Sequence, residues 1–178
     1  MKQKLLLHVC CGPCATEVIE RLKNKYEVSL FFYNPNIQPE AEYDKRLEQV
    51  KKLSEIHDIE LFIHEQDDDS WFKETEGLDN EPEGGRRCEK CFGLRVETAA
   101  KFAADHDFEA FTTTLSISPY KNHFLLKRIG NRCAGRYGVD FIDDDFKQDK
   151  GYEKSIELSK KHNLYRQKYC GCIYSKKD

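Results

Sequence analysis

Short apolar runs alternate with amphipathic helical stretches along this chain, and the alternation predicts an α/β fold. The expected architecture is a parallel five-stranded sheet with helices on both faces and strand order 3-2-1-4-5. Three observations carry this. Apolar runs fall at residues 5–9, 28–33, 59–63, 110–114 and 139–142. The stretches between them repeat apolar residues at helical spacing. With 178 residues, 39% of them hydrophobic, the chain is of a size for one domain with a real core.

The elements follow in order. Leu5 to Val9 is a short apolar run broken only by His8, as suits a buried strand. Ala15, Val18, Ile19 and Leu22 then mark a helix. A second strand precedes a loop with Pro35 and Pro39, and a long helix turns Tyr43, Leu47, Val50 and Leu53 inward. After the third strand the rhythm breaks over residues 65–87, where an acidic run, Trp71-Phe72, Pro82 and Gly84-Gly85 suggest an insertion or partly ordered loop. An alanine-rich helix then runs to about His106, followed by the fourth strand, a helix over 124–137, the fifth strand and a last helix over 152–162. The expected organisation is a single domain over 1–178 with a cysteine-bearing insertion at about 65–91 and a cysteine-bearing C-terminal tail. In such sheets ligands bind at the switch point beyond the carboxyl ends of the strands. Here that is between strands one and four, beside Cys10 to Cys14 and the segment 112–122.

Net charge is −3, so any nucleic-acid contact must come from a local basic patch. The opening residues have too short an apolar run for a signal peptide, and no segment approaches membrane-spanning length, so a cytoplasmic location is expected. In a reducing compartment clustered cysteines are more often metal ligands or catalytic thiols than structural bridges.

Eight cysteines are present, seven of them in three groups: Cys10, Cys11 and Cys14 at a strand-to-helix turn; Cys88 and Cys91 as C-x-x-C after Arg86-Arg87; and Cys170 and Cys172 as C-x-C near the end. Each spacing lets two thiolates chelate one centre. Seven are too many for one zinc and too few for two all-cysteine sites. A four-cysteine cluster beside a second metal or a redox dithiol fits the number better. Cys133 lies on an apolar helical face with Leu126 and Ile129 and is assigned to packing. Two rivals stand beside the cluster. Cys11-Gly12-Pro13-Cys14 is the thioredoxin motif, though it leaves the other groups without a role. A zinc-stapled RNA-binding module without catalysis is the other. The layout also resembles nucleotide-binding domains of the adenine nucleotide alpha-hydrolase type. Its first loop, however, offers thiols and a proline where phosphate needs backbone donors, so ATP use is not expected.

Four motifs, in order over nearly the whole chain, resemble the cobalamin-independent epoxyqueuosine reductase family (QueH). They are His8-Val9-Cys10-Cys11-Gly12-Pro13-Cys14; Arg87-Cys88-Glu89-Lys90-Cys91-Phe92-Gly93-Leu94-Arg95; the segment from Phe111 to Asn122; and Tyr165-Arg166-Gln167-Lys168-Tyr169-Cys170-Gly171-Cys172. Asp145-Phe146-Lys147 followed by Gly151-Tyr152 also fits. The resemblance implies reduction of epoxyqueuosine to queuosine at the tRNA wobble position, with loss of the epoxide oxygen and formation of an alkene. It implies a [4Fe-4S] cluster on Cys10, Cys11, Cys88 and Cys91. Cys170 and Cys172, with Cys14 beside them, become a redox pair or ligands of a second metal ion, iron or zinc. An electron donor of unassigned identity is also required. Candidate proton donors are Asp145, Tyr120, Tyr169, His8 and His123. Candidate RNA contacts include Arg86, Arg87, Lys90, Lys121, Lys127, Arg128, Arg132, Arg136, Arg166 and Lys168, with Tyr33, Tyr120, Tyr165 and Tyr169 as stacking platforms. Tyr152 is expected to pack.

Overall fold

A computed structural model describes residues 1–176. Its sheet is parallel throughout, in the order β3-β2-β1-β4-β5. The strands are β1 (Gln3–His8), β2 (Tyr26–Phe32), β3 (Leu61–Ile63), β4 (Ala110–Thr113) and β5 (Asp140–Phe141). Helices α1 (Gly12–Leu22), α2 (Glu40–His57) and α6 (Gly151–Lys161) cover one face; α4 (Arg86–Asp105) and α5 (His123–Tyr137) cover the other. Side-chain alternation divides the core. Leu5, Leu7 and Val9 pack with α1 and α2, whereas Leu6 joins Phe31 and Phe111 under α4 and α5. Burying each such side chain contributes about 1.5–3 kcal/mol.

Local chemistry sets the helix ends that face the switch point. Pro13 sits in the first turn of α1, where its missing N–H costs nothing. Asn122 caps α5, its side chain accepting from the Leu125 N–H at 3.2 Å. Gly138, at φ +69°, ends it. The segment expected as a loop over 65–87 instead carries a helix, α3 (Asp68–Glu74), capped by the Asp67 carboxylate and anchored by fully buried Trp71. An acidic run reads as solvated surface, but an Asp one residue before a helix is also a cap. Cys88 and Cys91 stand in the first turns of α4. Cys133 is buried with Leu126 and Ile129. Among the described residues no helix is long and apolar enough to cross a membrane.

Candidate metal and redox centre

The first thiol group grows directly out of β1. Gly12 is required at the turn because a Cβ there would lie 2.6 Å from Cβ of Gln49 on α2. The backbone then folds so that Cys11 caps α1, its sulfur accepting from the Cys14 N–H at 3.3 Å. Cys10 is fixed from β4's end: its N–H donates to Thr114 Oγ1 at 3.2 Å, and the same hydroxyl lies 3.2 Å from Cys10 Sγ. The sulfurs of Cys10, Cys11 and Cys14 lie within 4.8 Å of one another. Their protonation is shared. Hydrogen bonds from Cys11 and Cys14 hold Cys10 well below the usual thiol range. Burial pushes Cys11 up to about 12, and its hydrogen bonds to the other two push Cys14 well above its ordinary value. The three thiols thus titrate as one coupled group in which the anion is favoured at Cys10.

The second group lies across the site. Cys88 accepts from the Gly84 N–H at 3.2 Å. Cys91 and Cys172 are buried together against Trp71. Burial pushes the Cys91 thiol up to about 11, against the opposing charge of Arg95. Arg95, one helical turn after Cys91, is 1% exposed. It donates to Cys91 Sγ at 3.7 Å and to Asn34 Oδ1 at 2.7 Å. Among the described residues no carboxylate pairs with it. A buried guanidinium without a carboxylate needs another anion, and here the anions at hand are sulfurs.

The tail is held by a buried clamp. Arg46 on α2 pairs with Glu42 at 2.8 Å and donates to the carbonyls of Cys170 at 2.8 Å and Tyr169 at 3.0 Å. Gly171, at φ +121°, lies so close that a Cβ would stand 3.0 Å from Arg46 Nη1, so only glycine suits this step of C-x-C. Gln167 reaches the first thiol group, its Nε2 donating to Cys11 Sγ at 2.9 Å. The result is a cavity of about 600 Å³ at the carboxyl end of the sheet. Cys10, Cys14 and Cys170 open onto it, as do Arg95, Lys121, Arg166 and Lys168 and the rings of Tyr120, Tyr152, Tyr165 and Tyr169.

Several expected residues land elsewhere. His8 is fully buried, with its ring nitrogens on Thr113 Oγ1 and the Tyr33 carbonyl; burial lowers its pKa to about 4, so it stays neutral and supports the floor rather than donating protons. Asp145 and His123 do not line the cavity. Asp145 pairs with Lys147 at 3.1 Å, and His123 with Asp143 at 3.3 Å. Arg87 is 3% exposed and spends one guanidinium nitrogen on the carbonyls of Leu78, Asp79 and Glu81, which removes it from phosphate contact. Tyr33 is buried and cannot stack on a base. Arg86 and Arg128 are exposed and paired with Glu81 and Glu89. Tyr152, expected to pack, lines the cavity, while the Tyr169 hydroxyl donates to the Gln38 carbonyl and its ring lies under Arg46. Sequence reasoning missed Arg46 and Arg95. The i, i+4 step from Cys91 to Arg95 was a usable signal; nothing along the chain links Arg46 to the tail.

The family profile described as epoxyqueuosine reductase QueH matches residues 5–178. The chain belongs to the QueH family. An epoxyqueuosine reductase QueH of Acinetobacter baylyi is 41% identical over 98% of this chain and 81% of its own length. One of Thermotoga maritima is 35% identical over 96% and 89%. Two solved structures share the fold at 13% identity. One, described as a predicted subunit of tRNA methyltransferase from Methanocaldococcus jannaschii, has a TM-score of 0.61 over 89% of this chain and 74% of its own. The other, the U34-tRNA thiolase NcsA of Methanococcus maripaludis with its [4Fe-4S] cluster, has 0.60 over 99% and 62%. The fold is adenine nucleotide alpha-hydrolase-like. The matched residues include all three thiol groups.

Proposed function

We propose that the chain, an epoxyqueuosine reductase by family, reduces epoxyqueuosine to queuosine at the wobble position of tRNA, with its thiols holding an iron–sulfur cluster and a second redox element. One observation carries this reading: three thiols from two of the groups open onto a cavity of about 600 Å³ that is also lined by cationic and aromatic side chains. That volume suits a nucleoside-sized ligand.

The residues fit a cluster. The donors are sulfur only, three sulfurs lie within 4.8 Å, and Arg95 supplies positive charge with no carboxylate to cancel it. Cys10, Cys11, Cys88 and Cys91 would hold it, with Arg95 reaching from Cys91 toward Cys10. Cys14, Cys170 and Cys172 would form the second element, a dithiol or the ligands of an iron or zinc ion. A second partition is favoured by the close spacing of Cys14 to Cys10 and Cys11, which would put Cys14 in the ligand set. When bound, a [4Fe-4S] cluster supplies single-electron transfer, and a low-potential donor must feed it.

The chain's own residues do the rest. Arg166 and Lys168, on the cavity wall, would hold RNA phosphates, with Arg86 and Arg128 farther out on the surface. Tyr165 and Tyr169 have their hydroxyls fixed by Glu42 and by the Gln38 carbonyl, so each offers a held ring to an extruded base. Nucleotide has no place in this scheme. The N–H groups of Cys10 and Cys14 are already bonded to Thr114 and Cys11, which supports chemistry without ATP. The thiols imply a reducing, cytoplasmic setting.

The test uses protein reconstituted anaerobically with iron and sulfide, a low-potential reductant and tRNA carrying epoxyqueuosine. Mass spectrometry of the digested nucleosides should show the loss of one oxygen without added cobalamin. Unchanged epoxyqueuosine with a fully loaded cluster would refute the reading.

A further inference from the structure

Deoxygenating an epoxide breaks two C–O bonds, forms one C=C bond and consumes two electrons and two protons, releasing water. The oxygen leaves with the basicity of an alkoxide, comparable to hydroxide, whose conjugate acid has a pKa near 15.7. An acid is therefore needed at that atom when the first C–O bond yields. Of the five donors expected from sequence, His8, His123 and Asp145 are outside the cavity, the Tyr169 proton is committed to a carbonyl, and Tyr120 stands 78% exposed at the cavity's edge.

We propose that Lys121 is the acid that protonates the departing epoxide oxygen. This rests on the epoxyqueuosine reading of the cavity. Lys121 follows β4 at the switch point and lines the cavity with Cys10, Cys14 and Cys170. It is half-buried, and among the described residues its ammonium has neither a hydrogen-bond nor a carboxylate partner. Arg46 is engaged by Glu42 and the tail and Arg95 by Asn34 and Cys91, while Arg166 and Lys168 on the same wall are assigned to RNA phosphates. An ammonium that opens onto the cavity with no partner of its own has a proton free to give.

The structure also explains how the residue is held. Lys147 Nζ donates to the Ser116 carbonyl at 2.9 Å and to the Lys121 carbonyl at 3.5 Å while pairing with Asp145. Ser116 Oγ in turn donates to the Asp144 carbonyl at 3.0 Å. The Asp145-Phe146-Lys147 motif is thus a strut under the loop that presents Lys121, which gives Asp145 a positioning role in place of the catalytic one expected.

The step balances. The N–H proton of Lys121 passes to the epoxide oxygen as the first C–O bond breaks, leaving a hydroxyl on one carbon. That hydroxyl takes a second proton, from solvent through the recharged amine, and leaves as water while the C=C bond forms. Both electrons come from the low-potential donor that the reduction already requires.

Lys121→Arg separates acid from charge, because arginine keeps the cation and its hydrogen bonds but does not release a proton. In the reconstituted holoenzyme kcat should fall at least about 100-fold, the usual contribution of a general acid, while KM for tRNA stays within about threefold. Iron content and visible absorption should match wild type. In Lys121→Ala, added small primary amines should restore part of kcat, which a structural role would not allow. A Lys121→Arg variant with wild-type kcat, or with KM raised and kcat unchanged, would overturn the proposal in favour of a phosphate contact. Loss of iron in that variant would overturn it in favour of a cofactor contact. Failure of the wild-type protein to reduce epoxyqueuosine at all would instead strike the functional reading itself.

Discussion

Replacing Arg46 with alanine tests whether the tail is held by one buried cation. Arg46 is 2% exposed and Glu42 is 8% exposed, so their ion pair at 2.8 Å is shielded from water. Breaking such a pair by removing one partner costs about 3–5 kcal/mol, mostly because the other charge is left buried. Here Tyr165 still donates to Glu42, with 3.0 Å to Oε2. That places the loss near the lower end, about 3 kcal/mol, including the two bonds to the tail carbonyls, which are not additive with the pair. At about 2–4 °C per kcal/mol for a chain of this size, Tm should drop by about 6–12 °C. The local effect should be larger than the global one. Cys170 and Cys172 lose their backbone anchor, so in metal-free protein both thiols should alkylate faster with iodoacetamide, while Cys133 does not change. Calorimetry with peptide mass spectrometry reads both. Lys at this position keeps a charge beside Glu42 but does not span both carbonyls, so it should recover part of the stability and little of the thiol protection. A Tm within about 2 °C of wild type, or unchanged alkylation of Cys170 in Arg46→Ala, would refute the clamp.

Iron and sulfide assays sort the thiols. Cys88→Ser and Cys91→Ser should lose cluster iron, whereas Cys133→Ser, buried in the core, should keep it. Cys14→Ser should retain a four-iron spectrum; its loss would favour the partition that includes Cys14. Gly151→Ala should destabilise by about 1–3 kcal/mol or more, since its Cβ would meet the Phe146 carbonyl oxygen at 1.8 Å, while Gly135→Ala, with nothing within 4 Å in the last turn of α5, should stabilise by up to about 1 kcal/mol; urea unfolding compares them. Tyr120 and Phe124, 78% and 82% exposed at the cavity's edge and the start of α5, should act as a stacking platform for RNA, so each alanine variant should weaken tRNA binding about fivefold or more in a filter-binding assay, with iron content unchanged.

How much was legible in the sequence depended on distance along the chain. The five strands and their flanking helices were legible because apolar periodicity is a local consequence of which side of a backbone faces the core. So were the thiol groups, since chelating spacings are short, and so was the family, whose motifs run in order along the chain. The same local logic failed at residues 65–87, where an acidic run that reads as loop caps a helix through Asp67 and delivers Trp71 to the interior. It failed again where one residue type serves opposite ends. Arg87 and Arg166 look alike in sequence, yet one is spent on three carbonyls and the other opens onto the cavity.

Composition and spacing by themselves determined that this is an α/β chain with seven cysteines in three groups, the first of which lies where strands one and four part. Only the tertiary structure decided which side chains serve it. Arg46 is 124 residues from the Cys170 carbonyl it holds, and Lys147 is 26 from the Lys121 carbonyl beneath the amine. Contacts of that span leave no periodic trace, because they arise from the parallel stacking of β1 and β4 and the return of the tail over α2. Protonation follows the same rule. His8 and Lys121 are ordinary titratable residues in sequence; in the fold, burial lowers the His8 pKa to about 4, whereas at Lys121 the nearby sulfurs outweigh burial and shift it upward.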